Sequence, residues 1–109
     1  CNPPYGRHIS KWFERAEGQV SSGNVDLVAM LVYANTDTRY WHALVARSPW
    51  CHAVAFLSPR VRFERPDGER ASGAPKGSAL VLYRSHRRIG ALPHLYVDTN
   101  KPGWAGGLA

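Results

Sequence analysis

Apolar side chains recur at Ile9, Trp12, Phe13, Ala16 and Val20. That three-and-four spacing puts them on one face of a helix. Arg7, Lys11, Glu14, Arg15 and Glu17 fall mostly on the other face. The SSGN stretch at 21–24 stops the helix, because glycine and asparagine suit a helix C-terminus. The period then changes. Residues 25–33, VDLVAMLVY, are almost continuously apolar and rich in β-branched side chains. This is the composition expected of a strand covered on both faces in a parallel sheet. NTDT follows, and Asp37 or Thr38 can cap a second helix running through Ala46, with Trp41, Leu44 and Val45 inward.

AVAFL at 53–57 predicts another strand, and VRFE at 61–64 alternates as an edge strand should. RPDGERASGAPKG carries Pro66, Pro75, Gly68, Gly73 and Gly77, which argue for a loop. SALVLYR at 78–84 predicts a last apolar strand, returning antiparallel beside one of the two before it. From Gly90 onward the chain has proline and glycine breaks and no clear period. It is expected to be a tail, ordered in part by Leu95, Tyr96 and Trp104. No internal repeat is visible. The element order predicts an α/β domain with an antiparallel finish, with a folded unit over 1–88 and a tail over 89–109. A loop such as CNPPYG, directly before a helix, ordinarily sits at the C-terminal end of a preceding strand. The expectation is therefore a fragment whose parallel sheet needs at least one more strand.

At 109 residues the chain suits one small domain, and 44% hydrophobic with 20% charged residues is ordinary for a globular protein. There is no apolar run long enough to span a membrane and no basic-then-apolar leader. Cys1 and Cys51 make neither a disulfide framework nor a CxxC pair, which points to a reducing, cytoplasmic setting. His8, His42, His52, His86 and His94 show no spacing typical of a metal site, so no metal is expected. The charge does change the picture. Fourteen Lys and Arg against eight Asp and Glu leave a formal +6, an excess that favours a polyanion through phosphate neutralisation and counterion release. The basic cluster Arg84, Arg87 and Arg88 is a candidate for DNA phosphate contact.

The motif NPPY, Asn2, Pro3, Pro4 and Tyr5, suits methylation of an amino group on a heteroaromatic ring or an amide. Such a nitrogen has a delocalised lone pair and is a poor nucleophile. Two acceptors on its hydrogens can draw it toward tetrahedral geometry and stabilise the charge that develops. The Asn2 side-chain oxygen can be one acceptor and the Pro3 carbonyl the other. Proline lacks an N–H and has a fixed φ, so the pair holds that carbonyl stiffly. Tyr5 offers a face for a flipped base. Thr36, Asp37, Thr38 and Arg39 follow the first strand, at the end where α/β ligands gather. They suit contact with a target nucleotide or its phosphate, or simply a helix cap.

CNPPYGRHISKWFERA, a buried strand, NTDTRYWH, FLSPRVRFE and GAPKGSALVLYR occur in this order over roughly 1–84. The set resembles the phage-type DNA N6-adenine methyltransferase family, often called Dam-like. NPPY is common to several amino-methyltransferases, whereas TDTRYWH and the AP-x-x-SALV ending are more specific. The resemblance implies the C-terminal half of an S-adenosylmethionine-dependent methyltransferase (Rossmann-like) fold, with a mostly parallel sheet ending in an antiparallel hairpin. It implies methyl transfer from S-adenosylmethionine to adenine N6 in double-stranded DNA, of the restriction-modification kind. Asn2, Pro3, Pro4 and Tyr5 match its catalytic loop, with Asn2 also near the methyl donor. No obligate protein partner is implied. The family's cofactor-binding half precedes NPPY and has no counterpart in this chain. Lys76 and Gly77 stand where bulkier residues or proline are common in the family. Two alternatives remain open: a non-catalytic basic nucleic-acid-binding module, and an NPPY amino-methyltransferase acting on RNA or protein glutamine.

Overall fold

The computed structural model describes residues 8–58 and 77–100. In chain order they form helix α1 (Ile9–Ser21), strand β1 (Leu27–Tyr33), a short helix α2 (Arg39–Trp41) that continues as a π-helical turn (His42–Ala46), and strands β2 (Cys51–Ser58), β3 (Ser78–Arg84) and β4 (His94–Asp98). The chain is an α/β unit built on one four-stranded mixed sheet. Asn2 to Tyr5, the edge strand expected at 61–64 and Trp104 lie outside the described residues.

Helix α1 follows the apolar stripe. Phe13, Ala16 and Val20 are buried, and Ile9 and Trp12 pack against the same core from its margin. Complete burial of Phe13 stabilises the fold by roughly 2–3 kcal/mol. The helix ends where Gly23 takes φ +80° and donates its N–H to the Val20 carbonyl at 3.1 Å. A side chain at that φ would be strained.

The sheet order is β1-β3-β2-β4. Strand β3 runs antiparallel to both β1 and β2, while β4 runs parallel to β2. Strands β1, β2 and β4 therefore point one way and β3 the other. The last apolar strand does return antiparallel, but between its two predecessors rather than beside one. Direct parallel pairing of β1 with β2 is thereby excluded, and the only parallel neighbours among the described strands are β2 and β4. Three cross-strand rows face the helices: Val28–Tyr83–Cys51, Met30–Val81–Val54 and Val32–Ala79–Phe56. They form the floor of the core beneath Phe13, Trp41 and Val45.

Two expectations are corrected. Strand β1 is not covered throughout on both faces: Met30 and Val32 are buried, but Leu27 is 45% exposed and Ala29, Leu31 and Tyr33 are half-buried. Continuous apolar character here reflects β-propensity as much as burial. The folded unit also continues past residue 88. Residues 94–98, expected within a tail, add β4 to the sheet, with Leu95 opposite Ala55 and Val97 opposite Leu57. Four of its five residues are exposed. Backbone pairing holds it more than side-chain burial does, which is why its sequence carries little signal.

The π-helical turn creates one buried polar problem. Arg47 donates its N–H five residues back, to the His42 carbonyl at 2.9 Å. The equivalent donor for Leu44 would be residue 49, which is Pro49 and has no N–H. The Tyr83 hydroxyl donates to the Leu44 carbonyl instead. Tyr83→Phe keeps the ring and removes this bond. It should cost about 1–2 kcal/mol in chemical denaturation; an unchanged midpoint would show that the bond contributes nothing.

Cys51 lies beside Tyr83 in the same core, and burial pushes its thiol up from 9.0 to about 12. Burial raises Tyr83 as well. Each group holds its proton more tightly when folded than when unfolded. Their contribution to stability is thus complete below the unfolded thiol value of 9.0 and is lost as pH rises toward about 12. The melting temperature should fall over that window, less steeply for Cys51→Ala than for the parent protein. Identical slopes would contradict the assignment.

Candidate functional site

Two ends of the sheet carry the polar side chains singled out from the sequence. Because β1 and β2 point the same way, both deliver their C-terminal residues, Tyr33 and Ser58, to one end. The turn after β1 lies there. Thr38 is the N-cap of α2: its hydroxyl donates to the Asn35 carbonyl at 2.8 Å and accepts the Trp41 N–H at 3.3 Å. The Asn35 amide donates to the Tyr40 hydroxyl at 3.1 Å. The capping alternative is thus realised by Thr38, which leaves Thr36, Asp37 and Arg39 exposed around a turn that is internally braced.

Helix α1 starts at this same end. Phe13 stacks at a tilt against Tyr40, with centroids 5.3 Å apart, and meets Trp41 edge-on at 6.4 Å. Asn2 to Tyr5 precede this helix in sequence, with three residues between Tyr5 and its start. Asp37, Thr38 and Arg39, together with His42, Ala43 and Arg47, border an open hollow of about 380 Å³. Arg39 and Arg47 give it a cationic rim that Asp37 partly offsets. Sequence reasoning missed His42 and Arg47. The available signal was the polar face of the second helix, which places these residues on the side opposite Trp41 and Val45.

The basic cluster is elsewhere. Arg84 pairs with Leu27, the first residue of β1, so Arg84, Arg87 and Arg88 stand at the opposite end of the sheet from Thr36 to Arg39. Seven residues of strand separate the two ends, about 20 Å. Arg88 is committed internally: its guanidinium donates to the carbonyls of Ser48, Cys51 and Gly90, and its backbone N–H donates to Pro49. Gly90, at φ +84°, turns its carbonyl back to this guanidinium. Arg87 is exposed, with its guanidinium 5.7 Å from the centroid of the Trp50 ring. Of the three arginines, Arg88 holds the fold, while Arg87 presents its charge to solvent.

Cys51 is fully buried with a strongly raised thiol, the reverse of what a nucleophile needs. Among the described residues no three His, Cys, Asp or Glu side chains converge as metal ligands, and no helix is long and apolar enough to cross a membrane. The chain matches no protein-family model, no curated protein and no solved structure.

Replacing Arg88 tests its structural role. Arg88→Gln leaves at least two carbonyls without a charged donor and should lower stability by roughly 2–3 kcal/mol. Arg87→Gln should change it by less than about 1 kcal/mol. Equal effects in a urea titration would contradict the distinction.

Proposed function

We propose that this chain is the target-facing half of a DNA adenine-N6 methyltransferase. The observation that carries the reading is a shared end. Helix α1, separated from Tyr5 by three residues in sequence, begins where Thr36 to Arg39 follow β1, and the Phe13–Tyr40 ring contact fixes that proximity. The α/β element order supports the reading, although the described sheet is mixed rather than mostly parallel, with β3 antiparallel to both β1 and β2.

On this reading, the Asn2 side-chain oxygen and the Pro3 carbonyl accept the two hydrogens of the target amino group. That draws its lone pair out of conjugation and stabilises the positive charge formed on nitrogen. Tyr5 stacks on the base once it leaves the duplex. Arg39 and Arg47 neutralise a neighbouring phosphate, and Thr38 holds their helix in place through its cap. The reaction needs no general base on the protein to begin, so positioning carries most of the effect.

S-adenosylmethionine would supply an electrophilic methyl group. The described residues do not fit it. The strand-to-helix turn after β1 contains no glycine, and its Thr38 and Asn35 groups are bonded to one another. No described residue is therefore assigned to the methyl donor.

A second reading, a basic nucleic-acid-binding module without catalysis, is favoured by the presence of exposed cationic groups at both ends of the sheet. One experiment separates the two. The protein as its gene encodes it is incubated with duplex DNA and labelled S-adenosylmethionine. Label on adenine is expected, falling about a hundredfold or more for Asn2→Ala with the fold unchanged by circular dichroism. Label on cytosine or on protein glutamine would reject adenine as the target. Full activity of Asn2→Ala would reject the loop's role. Salt-dependent DNA binding with no transfer would leave the second reading standing.

A further inference from the structure

Strand β2 contains one residue too many for its partner. Cys51 pairs with Tyr83 and Ala53 with Leu82, so His52 is a bulge residue with no opposite number on β3. A bulge re-aims the side chain it carries. His52 is directed to the segment after β3, where its Nε2 lies 2.7 Å from the His86 carbonyl. A carbonyl can only accept, so Nε2 must carry the proton. The His52 and His86 rings meet edge to face with centroids 4.5 Å apart.

These rings border an open hollow of about 310 Å³ that Arg87, Arg88 and apolar residues of 89–93 complete. Among the described residues none of its lining is acidic. Its parts are also held in place. Arg88 is fixed by bonds to three carbonyls and contributes a stationary positive charge. The Arg87 guanidinium lies over Trp50. His52 is held through its Nε2–H, which leaves the ring's other nitrogen outside that bond.

From this geometry we infer that the hollow between the β2 bulge and the 85–93 segment binds a phosphate group, with His86 and Arg87 as donors, Arg88 as a fixed counter-charge, and His52 holding the His86 segment in place through its bond to the His86 carbonyl. Preorganised donors around an acid-free concavity suit a compact anion of high charge density, and arginine with imidazole suits phosphate oxygens. The phosphate is either part of a nucleic-acid backbone or a free small molecule. The site lies at the opposite end of the sheet from Thr36 to Arg39, so it does not depend on methyl transfer. If a duplex engages both ends, the strand length between them corresponds to about six base pairs.

The test follows the imidazole ¹⁵N resonances of His52 and His86 in the full chain during two titrations, one with inorganic phosphate and one with a short DNA duplex. The expected result is a saturable shift of both rings with the duplex, lost for both in Arg87→Gln and for His86 in His52→Gln. The Arg87→Gln protein should also show a slope of log affinity against log salt reduced by about 0.9. Arg87 is exposed, so this variant tests the site without disturbing the fold. Shifts with inorganic phosphate but none with the duplex would support the site and assign it to a small phosphate. Unmoved rings in both titrations would overturn it. So would duplex binding that leaves the rings unmoved and is unchanged in Arg87→Gln.

Discussion

The turn at 48–51 must be held from three directions before strand β2 can begin where it does. The Ser48 hydroxyl donates to the Glu17 carboxylate of α1 at 2.6 Å and accepts the Trp50 N–H at 3.3 Å. Arg88 donates to the Ser48 and Cys51 carbonyls. The Arg84 N–H donates to Trp50 at 3.0 Å. Ser48 is only 2% exposed, so these polar groups would carry a large desolvation cost if left unmatched. Met together, they tie the helix layer, the end of β3 and the loop after it to one short turn. A charged donor satisfying several carbonyls at once is stronger than the neutral bonds it replaces.

Everything at the far end of the sheet follows from that anchor. With its start fixed, β2 runs alongside β3, and β3 fills the space between β2 and β1. The helix layer crosses from the end of β1 to this turn, so α2 and its π-helical extension begin at the opposite end, beside the first turns of α1. The Thr38 cap and the Asn35–Tyr40 bond complete a braced corner there. A corner of this kind keeps its exposed groups in place without burying them. The bulge at His52 belongs to the same arrangement, since β2 takes up its extra residue immediately after the anchored turn.

Local features were legible in the sequence and long-range ones were not. Helix α1 announces itself because its buried residues obey one period, and β3 was placed to the residue because Gly77 precedes an unbroken apolar run. Strand β1 begins at Leu27 rather than Val25, because Val25 and Asp26 serve the turn after Gly23. The position of β3 between two earlier strands depends on pairing across more than twenty residues, to which no local pattern testifies. Partial order at Leu95 and Tyr96 is expected from the sequence but not a strand, because an edge strand held by backbone bonds needs few buried side chains. At the site, the NTDTR turn follows the C-terminal end of β1 as its sequence position implies, and Thr38 caps the short helix after it, while NPPY lies outside the described residues. The arginine cluster was readable only as charge. That Arg88 faces inward to carbonyls, and that the cluster sits at the opposite end from the turn, are facts of tertiary geometry. His52 gave no signal of its own, since a bulge exists only relative to a partner strand.

On the proposed reading, the target base is received at the end of β1 and not at the end of β3. Photo-crosslinking tests this most directly. A duplex carrying 8-azidoadenine at the target position is irradiated with the protein, and the attached peptide is identified by mass spectrometry. Attachment within residues 1–7 or 35–40 is the predicted result. Attachment of the base within residues 85–93 would contradict it, because that region is expected to meet phosphate and never the target base.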